Sequence, residues 1–188
     1  SKRRVEITGM GAITPLGNSV QETWDGLKAG NSGISEIDQF DVSAYSTRFG
    51  GLIKNFSVED YMPLKEARRM DEFIHYGMAA GKQAIIDAGL ADAGYDPLRV
   101  GVAIGSGIGG ITNIENTVEL IRTSGPRKVS PFFVPGSIIN MISGTLSIEF
   151  NLQGPNIAIS TACTTGTHCI GMAARMIAYG DAAVMIAG

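Results

Sequence analysis

The run Ser160-Thr161-Ala162-Cys163-Thr164-Thr165-Gly166-Thr167-His168 sets a cysteine between a short β-branched stretch, Asn156-Ile157-Ala158-Ile159, and a helical stretch over residues 164–179. A thiol at that seam faces the unpaired N–H groups and positive dipole end of a helix. Such surroundings favour the thiolate, the form in which cysteine attacks carbon. The small neighbours leave room for a substrate, so Cys163 is the candidate nucleophile. Cys169 lies inside the helical stretch beside Ile170, Met172 and Ala173 and reads as packing. His168 is five residues beyond Cys163, roughly 140° around a helix, and should not face the thiol. His75 reads as a packed or capping histidine. Neither makes a Cys–His pair, which disfavours a hydrolase-type triad.

A second pattern, Gly105-Ser106-Gly107-Ile108-Gly109-Gly110, fits G-x-G-x-x-G between a strand and a helix and raises a dinucleotide site. The ribose-binding carboxylate expected about twenty residues on is missing, since residues 120–148 hold no Asp or Glu. Glycines that let a loop approach a substrate channel are the better reading. Two basic clusters stand out in an acidic chain. Lys65, Arg68 and Arg69 share one face of a helical turn, and Arg127 and Lys128 follow the turn signal Gly125-Pro126. Solvated surface is the plain reading and an acidic macromolecular partner the sharper one.

The elements that must position these residues follow from hydrophobic period. Strands are expected over 5–8, 100–104, 156–160 and 183–187. Helices are expected over 20–28, 71–88, 111–122, 137–150 and 164–179, the first capped by Asn18 or Ser19 and stopped by Gly30. The 71–88 helix should bury Phe73, Ile74, Met78, Ile85 and Ile86. Residues 31–62 read as a surface excursion. Alternating strands and helices predict an α/β layered fold with a largely buried sheet.

Only 18% of the 188 residues are charged, against roughly 25% in ordinary soluble domains, while 44% are hydrophobic. Between Val129 and Ala174 the one Asp, Glu, Lys or Arg is Glu149. That scarcity predicts a large homodimer or interdomain interface. The apolar end, Val184-Met185-Ile186-Ala187-Gly188, reads as the front half of something larger. A net charge of −3 argues against nucleic acid, and two cysteines are too few for a disulfide framework. A reducing, cytoplasmic setting is expected. No signal peptide is visible. Pro131, Pro135 and Asn140 break the uncharged run over 129–148, so no membrane span is expected there.

Five strings together carry a resemblance over essentially the whole chain: ITGMGAITPLG at 7–17, RRMDEFIHYGMAAGKQAI at 68–85, GSGIGG at 105–110, GPRKVSPFFVPGSIINM at 125–141 and NIAISTACTTGTH at 156–168. The chain closely resembles the N-terminal half of β-ketoacyl-acyl carrier protein synthases of type II. The resemblance implies a thiolase-like layered α-β-α fold, with residues 1–188 as the first half of a duplicated architecture. It also implies a decarboxylative Claisen condensation in fatty-acid elongation, run without cofactor or metal. Cys163 matches the nucleophile that takes the acyl chain, and its N–H one oxyanion donor. Ile108, Phe133 and Ala162 match the acyl pocket, Phe133 by reaching across a dimer. Residues 156–160 match the strand that pairs across the dimer axis. Lys65, Arg68, Arg69, Arg127 and Lys128 fall where the family presents positive charge to its acyl carrier protein, in acyl and malonyl forms. The family's two catalytic histidines and a nearby lysine belong to a C-terminal half that these residues do not include. A thiolase-type acyl-CoA acyltransferase and a non-catalytic chain-length subunit are the alternative readings.

Overall fold

In a computed structural model, which describes residues 2–188, the stretch expected over 71–88 forms the helix Glu72–Asp87 (α3), the longest of the chain. Asp71 caps it, accepting the Phe73 N–H through its carboxylate. Two helices precede it. Val20–Lys28 (α1) is capped by Ser19, whose side chain accepts the Glu22 N–H, and the short Leu64–Ala67 (α2) carries Lys65. Between them Ile34–Glu36 (β1) and Phe49–Gly51 (β2) pair antiparallel, so the surface excursion is built around a hairpin.

The sheet that matters for the site has three parallel strands. Val100–Ala103 (β3) is central, flanked by Asn156–Ile157 (β4) and Val184–Ala187 (β5), with Val102 opposite Asn156 and Val100 opposite Val184. Every residue of β3 is buried, as a strand covered on both faces requires. Ile111–Ser124 (α4) and Met141–Glu149 (α5) lie on the crossover from β3 to β4, and Thr165–Tyr179 (α6) runs from β4 to β5. The core joins Ile74, Met78 and Ile85 of α3 to Val100, Val102, Ile142, Leu146 and Ile186. Two glycines let α3 and α5 meet closely. A Cβ on Gly77 would overlap Ile142, and one on Gly81 would overlap Leu146. The lone carboxylate of the uncharged tract is accounted for here: Glu149 pairs with Lys82 of α3 at 2.5 Å, and the same ammonium donates to the Tyr61 carbonyl.

Four expectations are corrected. No strand forms over 5–8. Residues 2–12 instead lie across α3 and the end of α6, where Met10 N–H donates to Asp87 at 2.9 Å, Ala12 N–H to Gln83 at 3.1 Å and Arg3 N–H to the Ala178 carbonyl at 3.2 Å. The helix expected over 137–150 starts at Met141, because the Ser137 carbonyl accepts from Gly110 instead of from the next helical turn. The strand expected over 156–160 ladders only through Ile157, where β3 itself ends. Ile86 is 70% exposed, since the buried line of α3 runs through Ile74, Met78, Gly81 and Ile85 and leaves the next residue 100° away.

Candidate active site

Where β4 ends, the chain crosses the glycine loop before turning into α6. Ile159 lies so close to Gly105 that any Cβ there would strike its carbonyl. Ser160 Oγ donates to the Gly107 carbonyl at 3.1 Å. The glycine pattern therefore serves close approach to residues 159–162, and Gly109 adds a left-handed turn at φ 80°. The chain then makes a 3-10 turn, Ala162–Thr164, closed by Thr164 N–H on the Thr161 carbonyl at 3.0 Å. Ala162 opens that turn at φ 51°, in the left-handed region that a side chain disfavours.

Cys163 sits in the middle of the turn, exposed, two residues before the first residue of α6. Its N–H has no hydrogen-bond acceptor among the described residues, whereas the neighbouring Thr161 and Thr164 N–H groups are both engaged. An exposed thiol beside a free backbone donor can attack a carbonyl carbon while the developing oxyanion is met locally. Cys169, one turn into α6, is fully buried. Burial pushes its thiol up, backbone hydrogen bonds at Ile159 and Gly105 acting the other way. His168 is exposed, its Nδ1 3.4 Å from Thr161 Oγ1, and His75 bonds the Ala67 carbonyl through Nε2 at 2.9 Å.

Ile108, 68% exposed, lies in the glycine loop, and Ala162 adjoins Cys163. Phe133 is elsewhere. It lines a cavity of about 290 Å³ with Arg68, Arg69, Asp71, Asn113 and Ser130, and neither Cys163, Ile108 nor Ala162 reaches that cavity. The Arg69 guanidinium lies 4.1 Å from the Phe132 ring centroid on the same rim. Lys65, Arg68, Arg69, Arg127 and Lys128 are all exposed, and none is within 4.0 Å of a carboxylate among the described residues. Arg4, Lys28, Lys82 and Arg122 do have such partners.

Residue reading missed the groups that hold these pieces in place. Asp71 reaches beyond its own helix: its other oxygen accepts the Asn113 N–H of α4 at 2.7 Å. Asn113 Nδ2 donates to Ser137 Oγ at 2.8 Å, and that hydroxyl donates to the Phe133 carbonyl at 2.7 Å. An aspartate before an amphipathic run signals a cap in sequence, but nothing there signals the second helix.

A family model described as "Beta-ketoacyl synthase, N-terminal domain" matches residues 2–188, and the chain belongs to that family. It is 60% identical over 188 residues to the 3-oxoacyl-[acyl-carrier-protein] synthase 2 of Vibrio cholerae, covering 100% of this chain and 45% of that protein. Among solved structures, a β-ketoacyl synthase from Burkholderia phymatum superposes with a TM-score of 0.81 at 29% identity, over 97% of this chain and 45% of that one. A type II ketosynthase in complex with its acyl-carrier protein, bound to the hexaketide, gives a TM-score of 0.80 at 28% identity, over 97% and 48%. The chain thus spans about half the length of these proteins, with their layered α/β fold.

Proposed function

We propose that this chain supplies the nucleophile of a 3-oxoacyl-[acyl-carrier-protein] synthase that elongates fatty acids. The observation that carries the reading is the exposed Cys163 held on a strained turn at the start of α6, with its own N–H open. The Cys163 thiolate attacks an acyl-carrier thioester, forming a new C–S bond and releasing the carrier's thiol. Malonyl carrier protein then loses CO₂, and the enolate carbon so formed attacks the Cys163 thioester. The carbon–carbon bond forms as the Cys163 thiolate leaves. No histidine of this chain lines up to stabilise the enolate, so we assign that task to groups outside residues 1–188.

Lys65, Arg68, Arg69, Arg127 and Lys128 serve as the docking surface for the acidic carrier, a reading supported by their exposure in two short clusters and by the carrier complex of the related ketosynthase. Ile108 and Ala162 border the acyl chain beside Cys163. Phe133, which lines a cavity that Cys163 does not, enters the pocket of a second copy. The homodimer draws support from the unpartnered apolar stripe of α4, Ile111, Ile114, Val118 and Ile121, all exposed. The test is Cys163→Ala in the full-length protein, assayed with acyl-carrier and acyl-coenzyme A donors. Loss of acyl transfer from the carrier, with little transfer from coenzyme A in the unmutated protein, is expected. Retained transfer from the carrier in the variant rules the reading out, and a preference for coenzyme A favours a thiolase.

A further inference from the structure

We propose that Thr165 is a positioning residue for the nucleophile: its buried hydroxyl fixes the turn that presents Cys163. The inference rests on the reading of Cys163 as the acyl acceptor and goes beyond it. A left-handed alanine persists only where its surroundings over-determine the backbone. Ala162 stands at φ 51°, so something must hold it. Three contacts do. Ser160 Oγ bonds the Gly107 carbonyl, Thr164 N–H bonds the Thr161 carbonyl, and Thr161 N–H donates to Thr165 Oγ1 at 2.9 Å.

The last differs from the other two in its setting. Ser160 is exposed and its bond competes with water, whereas Thr165 is 6% exposed. The threonine methyl packs toward Gly105, where an added Cβ would come within 2.7 Å of Cγ2. The side chain therefore has one place to sit. Its polarity is also reversed from the helical habit. A threonine within a helix usually donates back to the carbonyl four residues earlier. Here the hydroxyl oxygen accepts the N–H four residues earlier, tying α6 to the segment before the turn. Without it, the Thr161 N–H has no protein acceptor, and residues 161–164 can relax out of the left-handed bend. The thiol then loses the fixed approach that attack on a thioester carbon requires.

The test uses the full-length protein and follows acyl transfer from acyl-carrier to Cys163 by mass spectrometry. Thr165→Val, which keeps the shape and removes the acceptor, is expected to lower kcat per folded molecule by roughly tenfold or more, with KM for the acyl-carrier little changed. Thr165→Ser, which keeps the acceptor, is expected to restore most of the rate. A structural role alone would lower the amount of folded protein and leave kcat per folded molecule as it was. Should the valine variant not fold, Thr165→Ala removes the same acceptor without an added methyl and makes the same comparison. Unaltered kcat in the acceptor-less variant, or failure of serine to restore it, overturns the inference while leaving Cys163 as acyl acceptor. If the unmutated Cys163 takes no acyl group, the reading beneath fails and this one with it.

Discussion

Two cysteines six residues apart are chemically opposite because the backbone, not their sequence neighbours, decides what surrounds each. Cys163 stands on the outside of a 3-10 turn, and Cys169 is enclosed where α6 meets Gly105 and Ile159. Alkylation by iodoacetamide at neutral pH should therefore mark Cys163 and spare Cys169, as peptide mapping would show. The buried thiol also makes stability fall in alkali. Burial raises the Cys169 pKa, and burial together with Glu72 raises that of Tyr76. The unfolded chain then binds fewer protons than the folded one once pH passes the ordinary thiol and phenol ranges. Stability is fully present below those ranges and is lost as pH rises from them through the raised values of the folded state. Urea midpoints at pH 7 and pH 10 check this; a higher midpoint at pH 10 would contradict it.

At the scale of elements, single side chains join parts far apart in sequence. Asp71 caps α3 and also accepts from the first turn of α4, so Asp71→Ala leaves N–H groups of both helices without their acceptor. A loss of about 1–3 kcal/mol is expected, read from denaturant midpoints. Buried Ser143 of α5 similarly receives the Ile104 N–H at 3.0 Å and donates toward the Ile157 carbonyl at 2.9 Å, stitching the ends of β3 and β4. Gly105 shows the other requirement, clearance. Gly105→Ala drives a methyl into the Ile159 carbonyl and the Thr165 methyl, beneath the turn that carries Cys163. It should cost roughly 1–3 kcal/mol by overpacking and depress acyl transfer as well, whereas Gly171→Ala, which meets open space, should do neither.

Over the whole molecule, charge and apolar surface are sorted. Arg68 and Arg69 line the Phe133 cavity together with Ser130, which follows Arg127 and Lys128 closely in the chain, and all four cations are exposed. Apolar side chains of α4 stand exposed, with Val134 and Ile138 also uncovered. No helix among the described residues is long and apolar enough to cross a membrane. If the cations receive an acidic carrier, Arg68→Glu with Lys128→Glu should raise KM for the carrier about tenfold or more and flatten its salt dependence, sparing kcat. Equal KM and equal salt dependence in variant and parent would remove the docking role.

Sequence by itself determined the elements whose signals are local. The Ser19 cap, the period of α3, the buried composition of β3 and a turn into a helix at Cys163 all report on neighbours a few residues away, and each found its place. Tertiary structure decided whatever depends on a distant partner. Residues 5–8 have strand composition but no strand beside them, and the start of α5 was set by a carbonyl that Gly110 claims from 27 residues upstream. The cavity that Phe133 shares with Arg68 and Asn113 and the hydroxyl of Thr165 beneath the Thr161 amide belong to the same class. Hydrogen bonding and close packing act on distance in space, and a linear pattern records that distance only when it coincides with distance along the chain.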